Sequence, residues 1–192
     1  MLNVVIFGAP GSGKGTQSEL IIEKYGLHHI STGEILRKEI EAKSELGIIA
    51  EQYISKGQLV PDQLVIDIFA DLIDKNKENT KGYIFDGFPR TLSQVKALDD
   101  MLRDRNTAVA AAFNLAVDEE ELINRLLKRG EESGRSDDNL ETIQSRLNVY
   151  KEQTEPLKDY YKRTGKLFKI KGAASINDVF ERITEVIDSL SY

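Results

Sequence analysis

Gly8-Ala9-Pro10-Gly11-Ser12-Gly13-Lys14-Gly15-Thr16 sets the architecture to expect of this chain. It follows the apolar run Val4-Val5-Ile6-Phe7 and leads into Gln17-Ser18-Glu19-Leu20-Ile21-Ile22, where apolar spacing becomes helical. Strand, glycine loop, helix is the order that a phosphate-binding loop needs. The glycines let successive backbone N–H groups turn into one concavity that cradles an anion. The helix behind adds its unpaired N–H groups and the positive end of its dipole. Lys14 is placed to reach the outer phosphates of a nucleoside triphosphate. One position departs from the strict GxxxxGK-Ser/Thr pattern: Gly15 follows the lysine, and the hydroxyl comes one later, as Thr16. No side-chain oxygen at position 15 can then bind Mg²⁺ directly. A dinucleotide-binding loop is the rival, but GxGxxG spacing is absent. The second strand, Leu27 to Ile30, also runs into Ser31-Thr32 rather than a ribose-binding carboxylate.

The chain has 192 residues, enough for one compact α/β domain with small excursions. Its hydrophobic content of 40% supplies a core, and 30% charged residues suit a solvated surface. A net charge of -6 argues against a broad nucleic-acid surface, so anionic ligands must be held by local Arg and Lys clusters. With no cysteine, disulfides, thiolate zinc sites and cysteine nucleophiles are excluded together. The first residues are already strand and loop, without a basic-then-apolar leader pattern. No apolar run approaches the roughly 20 residues that cross a bilayer. A cytoplasmic setting without membrane partners is the expectation.

Helix one is expected from Lys14 to about Tyr25, with Gly26 as a left-handed stop. Leu27 to Ile30 reads as a short buried strand. Ser31-Thr32-Gly33-Glu34 reads as a capping box for a helix with Ile35, Leu36 and Ile40 on one side. Ser44 caps a further helix whose stripe is Leu46, Ile49, Tyr53 and Ile54, ended by Gly57. Pro61 suits the first turn of a helix reaching about Asp74. The two short helices before it look like an inserted flap rather than a crossover. Lys75 to Lys81 is a polar loop. Tyr83-Ile84-Phe85 is a strand ending in Asp86, and a helix from Thr91 or Ser93 turns Val95, Leu98 and Leu102 inward. A strand lies within Ala108 to Val117, and Glu119 to Arg129 repeats helically behind the acidic run Asp118 to Glu121. Gly130 to Asp138 is charged and without periodicity. A long helix from Asn139 is kinked or divided at Pro156. Lys166 to Ile170 is the last strand, Gly172-Ala173-Ala174 a turn, and Ser175 to Leu190 the closing helix. Five apolar strands alternating with helices predict a doubly wound five-stranded parallel sheet.

In such a sheet, ligands sit at the carboxyl ends of the strands. GAPGSGKGTQ, ISTGEILR and DGFPRTLSQ follow strand ends directly. Together with KGQLVPD, GRSDD and the arginine of QSRL they resemble the adenylate kinases, within the nucleoside monophosphate kinase family. The resemblance covers essentially the whole chain. It implies a P-loop NTPase-type fold forming one domain, 1–192. The core is 1–30, 61–129 and 138–192, with a helical NMP-binding flap at 31–60 and a short lid at 130–137.

The implied reaction is the reversible, Mg²⁺-dependent conversion of ATP and AMP to two ADP, by a cytoplasmic monomer with nucleotides as its partners and no zinc. The resemblance puts Gly11, Ser12, Gly13, Lys14, Gly15 and Thr16 on the triphosphate. Arg125, Arg129, Arg135 and Arg146 surround the transferring phosphoryl group, with Arg37 and Arg90 on the monophosphate. Thr32 and Gln94 match positions that favour adenine, with Gln58, Leu59, Val60 and Gly87 completing the AMP site. Ala174 can offer a backbone carbonyl to the ATP adenine. Asp86 is a Walker-B-like carboxylate holding Mg²⁺ through water. On spacing alone it is equally a turn residue, Thr32 a helix cap, and Arg125 and Arg129 partners of neighbouring glutamates.

Related uridylate/cytidylate kinases differ at Thr32 and Gln94, which makes them the nearest alternative. A guanine-specific switch protein is the alternative from another class, but Asn76-Lys77-Glu78-Asn79 does not complete its motif. His28 and His29 read as structural or solvated, and Tyr150, Tyr160 and Tyr161 as packing residues.

Overall fold

A computed structural model of the protein describes residues 1–75 and 80–190; the middle of the polar loop after Lys75 lies outside them. The chain forms β1 (Val4–Gly8), α1 (Lys14–Tyr25), β2 (His28–Ser31), α2 (Thr32–Glu41), α3 (Glu45–Ile54) and α4 (Asp62–Lys75). There follow β3 (Tyr83–Asp86), α5 (Leu92–Arg103), β4 (Ala111–Ala116) and α6 (Glu119–Ser133). After these come α7 (Leu140–Val149), a π turn (Tyr150–Thr154), α8 (Leu157–Arg163), β5 (Leu167–Lys171) and α9 (Ile176–Ser189).

The five strands are parallel, in the order β2-β3-β1-β4-β5. β1 is buried along its whole length because helices cover both faces of the sheet, as its unbroken apolar run requires. Its side chains alternate between two cores. Val5 and Phe7 pack with α4, α5 and α8 residues such as Phe69, Leu98 and Tyr161, while Val4 and Ile6 pack with Ile21 of α1 and Ile183 of α9. A third cluster joins Ala9 of the glycine loop to Leu122, Leu126, Ile143 and Leu147, which fixes α6 and α7 against that loop.

Local signals explain most boundaries. Gly26 ends α1 in the left-handed region, at φ 66°. Ser44, Thr91, Asn139 and Ser175 cap α3, α5, α7 and α9 by accepting a backbone N–H bond from the residue three positions on. Ser31 Oγ accepts from Glu34 N–H at 3.4 Å, so the cap of α2 forms.

Several expectations are corrected by long-range packing. β2 lies at the sheet edge and starts at His28, so it is not a fully buried strand. Ile49 is 42% exposed, because α3 turns Gly47 and Ala50 inward instead. The segment from Gly130 is not irregular throughout: α6 continues to Ser133 and stops at Gly134, φ 64°. Gly130 is a glycine because the returning chain lies against it. A Cβ there would stand 2.8 Å from the carbonyl oxygen of Asp138. The division at Pro156 takes the form of the π turn, in which Glu155 N–H reaches back five residues to Tyr150 O at 2.8 Å. Tyr161 is buried in the core, in accord with a packing role.

Phe69 of α4 ties this core to the loop after β3. It is fully buried and stacks on Phe88 with ring centroids 3.9 Å apart. Phe69→Ala is expected to cost about 3–5 kcal/mol, read as a lowered urea midpoint.

Candidate active site

The loops at the carboxyl ends of the strands enclose a cleft of about 650 Å³. Every residue singled out from the sequence as a nucleotide or metal contact lines it. On one side lies the glycine loop. Gly13 is the N-cap of α1, at φ 93°, and offers no side chain to the first turn, so the N–H groups there are left for a ligand. Lys14 is half-buried, and its Nζ donates to Gly8 O at 2.9 Å, Ala9 O at 3.1 Å and Ser12 Oγ at 3.4 Å. Its ammonium is thus held on the loop's own carbonyls, at the edge of the nest.

Six half-buried arginines complete the cationic lining: Arg37, Arg90, Arg125, Arg129, Arg135 and Arg146. Arg129 forms a bidentate pair with Asp138, Nε to Oδ2 at 2.6 Å and Nη2 to Oδ1 at 2.8 Å. Arg146 Nη1 donates to the same Oδ1 at 2.7 Å and also meets Asp137 Oδ2 at 2.9 Å. The Asp138 side chain is completely buried. Burial pushes its pKa up, but the hydrogen bonds and charges of Arg129 and Arg146 prevail and hold it below the usual carboxylate range. Arg125 is drawn onto its own helix by Glu121 at 2.7 Å. The guanidinium groups of Arg37 and Arg135 have no hydrogen-bonded or ion-paired partner among the described residues. Loss of water, reinforced for Arg37 by Arg135 and for Arg135 by Arg129, lowers both pKa values.

The opposite side is organised by one carbonyl. Gly87 O accepts from Thr32 Oγ1 at 2.9 Å and from Arg90 Nε at 2.7 Å. Thr32 has therefore donated its proton and presents only lone pairs to a ligand. Arg90 is held further by Gln94 Oε1, which accepts its N–H at 2.8 Å, and by Thr154 Oγ1, which donates to its carbonyl at 2.9 Å. Burial lowers the Arg90 pKa to about 10, with Arg146 as the largest repelling charge. Gln58, Leu59 and Val60 enter after Gly57, which rests on α7: a Cβ at Gly57 would lie 2.9 Å from Arg146 Cγ and from Thr142 O. Ser145 Oγ donates to Lys56 O at 2.8 Å in the same contact. Ala174 faces the cleft beside the glycine loop.

Asp86 closes β3, and its carboxylate has no hydrogen-bonding partner among the described residues. His29 Nε2, buried and also unpartnered, stands 3.8 Å from Oδ2. The position of a Cβ on Gly15 would be 3.9 Å from the same oxygen. One free carboxylate facing the glycine loop fits an ion held through its waters and a phosphate. Among the described residues no group of three or more His, Asp and Glu side chains is arranged to hold a metal by itself.

Sequence reading missed Asp62, Thr154 and the central place of Asp138. Asp62 stands in LVPD and Asp138 in GRSDD, but nothing local says which arginine or amide each will meet.

A family model described as adenylate kinase matches residues 6–166. The chain belongs to the adenylate kinase family. It is 65% identical to an adenylate kinase of Azobacteroides pseudotrichonymphae genomovar. CFP2 over 190 residues, 99% of each chain. Identity is 62% to that of Parabacteroides distasonis, over 99% of this chain and 100% of the relative. It is 53% to that of Porphyromonas gingivalis, over 98% and 96%. Membership makes the chain a nucleoside monophosphate kinase, a phosphotransferase that uses ATP, on the five-stranded α/β fold described above. No described helix is long and apolar enough to cross a membrane.

In this adenylate kinase-family cleft, burial lowers the pKa of Lys14 from 10.5 to about 8, against the attraction of Asp86 and with the repulsion of Arg90, Arg146 and Arg129. Between those values the unfolded chain holds the proton more tightly, so folding stability rises with pH there. A bound phosphate favours the ammonium and raises the pKa again. ATP is expected to bind with uptake of part of a proton at pH 8, measured by titration calorimetry in buffers of different ionisation enthalpy. Above that pH its affinity falls by up to about tenfold per unit. Asp138→Asn removes the charge that aligns Arg129 and Arg146. A loss of about 10²-fold in kcat is expected in a coupled assay.

Proposed function

We propose that the cleft transfers the γ-phosphoryl group of ATP to AMP, in the reversible reaction ATP + AMP = 2 ADP, by positioning and charge neutralisation. The observation that carries the reading is the convergence of Lys14 and six arginines on one cleft in a chain whose net charge is -6. Two polyanions must approach within a few ångströms, and guanidinium groups neutralise phosphate oxygens while staying charged. An oxygen of the AMP phosphate, already ionised, forms the new P–O bond as the bond to the bridging oxygen of ADP breaks. No protein nucleophile or base is required.

The glycine loop, Gly11 to Thr16, and Lys14 hold the triphosphate, with Arg125 and Arg129 over it and Ala174 beside the adenine. Arg37 and Arg90 take the monophosphate. Arg135 and Arg146 lie between the two nucleotides. Thr32, Gln94, Gly87 and the backbone of Gln58, Leu59 and Val60 hold the acceptor base and sugar. Asp86 holds Mg²⁺ through water, and the ion supplies charge neutralisation on the phosphates.

The segment 31–60 acts as a flap over AMP and 130–137 as a lid over ATP, on a core of 1–30, 61–129 and 138–192. Their closure excludes water, which would otherwise compete as acceptor. Opening of these segments is the slow step, and the enzyme works as a cytoplasmic monomer. Adenine as acceptor base is supported by Gln94, whose amide offers both a donor and an acceptor.

Phosphorus NMR of the protein with ATP, Mg²⁺ and AMP, UMP or CMP tests this. ADP formation with AMP is expected, and Lys14→Met or Arg90→Met should lower its rate by about 10³-fold or more. Turnover with UMP or CMP alone would refute the acceptor assignment. ATP binding without transfer would refute the reaction and favour a nucleotide-dependent switch.

A further inference from the structure

Asp62, the first residue of α4, lies beside the cleft and touches two residues of the loop and helix after β3. Its Oδ1 accepts from Gln94 Nε2 at 2.8 Å, and its Oδ2 accepts from Thr91 Oγ1 at 2.8 Å. The Thr91 hydroxyl is itself placed by accepting Gln94 N–H at 3.2 Å. At the other end of the same amide, Gln94 Oε1 accepts from Arg90 N–H at 2.8 Å. Gln94 is only 2% exposed, so its amide is confined between these two neighbours.

The orientation of that amide is dictated by chemistry. A carboxylate can only accept, so the group facing Asp62 has to be the NH₂. A backbone N–H can only donate, so the group facing Arg90 has to be the oxygen. One N–H and one lone pair of the Gln94 amide remain for a ligand. Turning the amide over would set Oε1 against the carboxylate and the NH₂ against Arg90 N–H, leaving buried polar groups unpaired.

We propose that Asp62 is a specificity-determining residue that locks the Gln94 amide, so that the acceptor site takes a 6-aminopurine monophosphate and rejects a 6-oxopurine. The proposal rests on the reading that Gln94 faces the acceptor base. Adenine presents N1 as an acceptor and its 6-amino group as a donor, which match the remaining N–H and lone pair. Hypoxanthine presents N1–H and O6, which are mismatched at both positions. A site built to hydrogen-bond one pattern rejects its complement because both partners are left unpaired. The hydrogen bond to the carboxylate is the stronger constraint on the amide because its acceptor is charged. Asp62 touches neither nucleotide in this scheme and acts through Gln94.

Asp62→Asn tests the lock, since Asn keeps the shape but can turn either end of its own amide towards Gln94. The measurement is kcat/KM for AMP and for IMP, which differs from AMP at C6 and N1 of the base, together with KM for ATP. The expected result is a rise of about tenfold in the IMP-to-AMP ratio, carried mainly by KM for the monophosphate, with KM for ATP unchanged. A residue that merely supported α4 would weaken both monophosphates alike and leave the ratio where it was. Asp62→Ser, whose hydroxyl also donates or accepts, is expected to shift the ratio in the same direction and serves if the first variant does not fold. An unchanged ratio in a folded variant, with Gln94→Leu lowering kcat/KM for AMP, overturns the lock and leaves the acceptor assignment standing. If Gln94→Leu leaves AMP kinetics unaltered, the reading beneath the proposal fails, and the proposal with it.

Discussion

Mutual repulsion among cations is the constraint to which this molecule is built. Lys14 and six arginines share a cleft from which much of the water is excluded, and the pKa values of Lys14, Arg90, Arg37 and Arg135 are lowered first by that loss of water and then by the neighbouring guanidinium charges. In a region of reduced dielectric like charges repel strongly, and an unfolded chain would simply separate them. The fold prevents that separation. β1 lies at the centre of the sheet and presents the glycine loop, β3 delivers Asp86 and Arg90, and α6 and α7 are clamped to the loop by an apolar cluster. Asp138, buried and shared by Arg129 and Arg146, offsets part of the repulsion and fixes the spacing of two guanidinium groups. A bound phosphate would relieve more of it. Affinity for polyanions and readiness for phosphoryl transfer therefore have one physical origin.

The side of the cleft around Arg90 works on a different principle, with directional hydrogen bonds, several of them to charged groups, setting the geometry. Gly87 O holds Thr32 and Arg90 together, Gln94, Asp62 and Thr91 form a closed circuit of donors and acceptors joined to the Arg90 N–H, and Thr154 holds the Arg90 carbonyl. Such a circuit has few alternative arrangements, because each reversal leaves a buried group unpaired.

Much of this was legible in the sequence, and the exceptions share a cause. The glycine loop, the strands and the helix caps are encoded by neighbours within a few residues, so spacing and turn chemistry reveal them. The arginines are different. Arg125 on its own helix looks like the partner of a glutamate, and it is one, bound to Glu121 while lining the cleft. Their assignment came from family resemblance rather than from spacing. Asp62 stands 32 positions from Gln94, and Thr154 stands 64 from Arg90, distances over which no local pattern operates. The extension of α6 through Gly130 likewise reflects a chain segment that returns to lie against it. Ile49 breaks the expected stripe of α3 because smaller residues form the inner face. What tertiary contact decides, local sequence conceals.

The turn after α3 has a bearing on how this chain can change over generations. Gly57 sits at φ +71°, and a side chain there would meet Arg146 Cγ, Thr142 O and Ser145 Cβ within 3.0 Å. Backbone conformation disfavours a side chain here and lack of space opposes one separately, so relieving the contacts on α7 alone leaves the strain of the left-handed conformation. Drift in the two helices before it must leave this fixed point where it is, while Ile48 and Ile49, facing solvent, are left to vary.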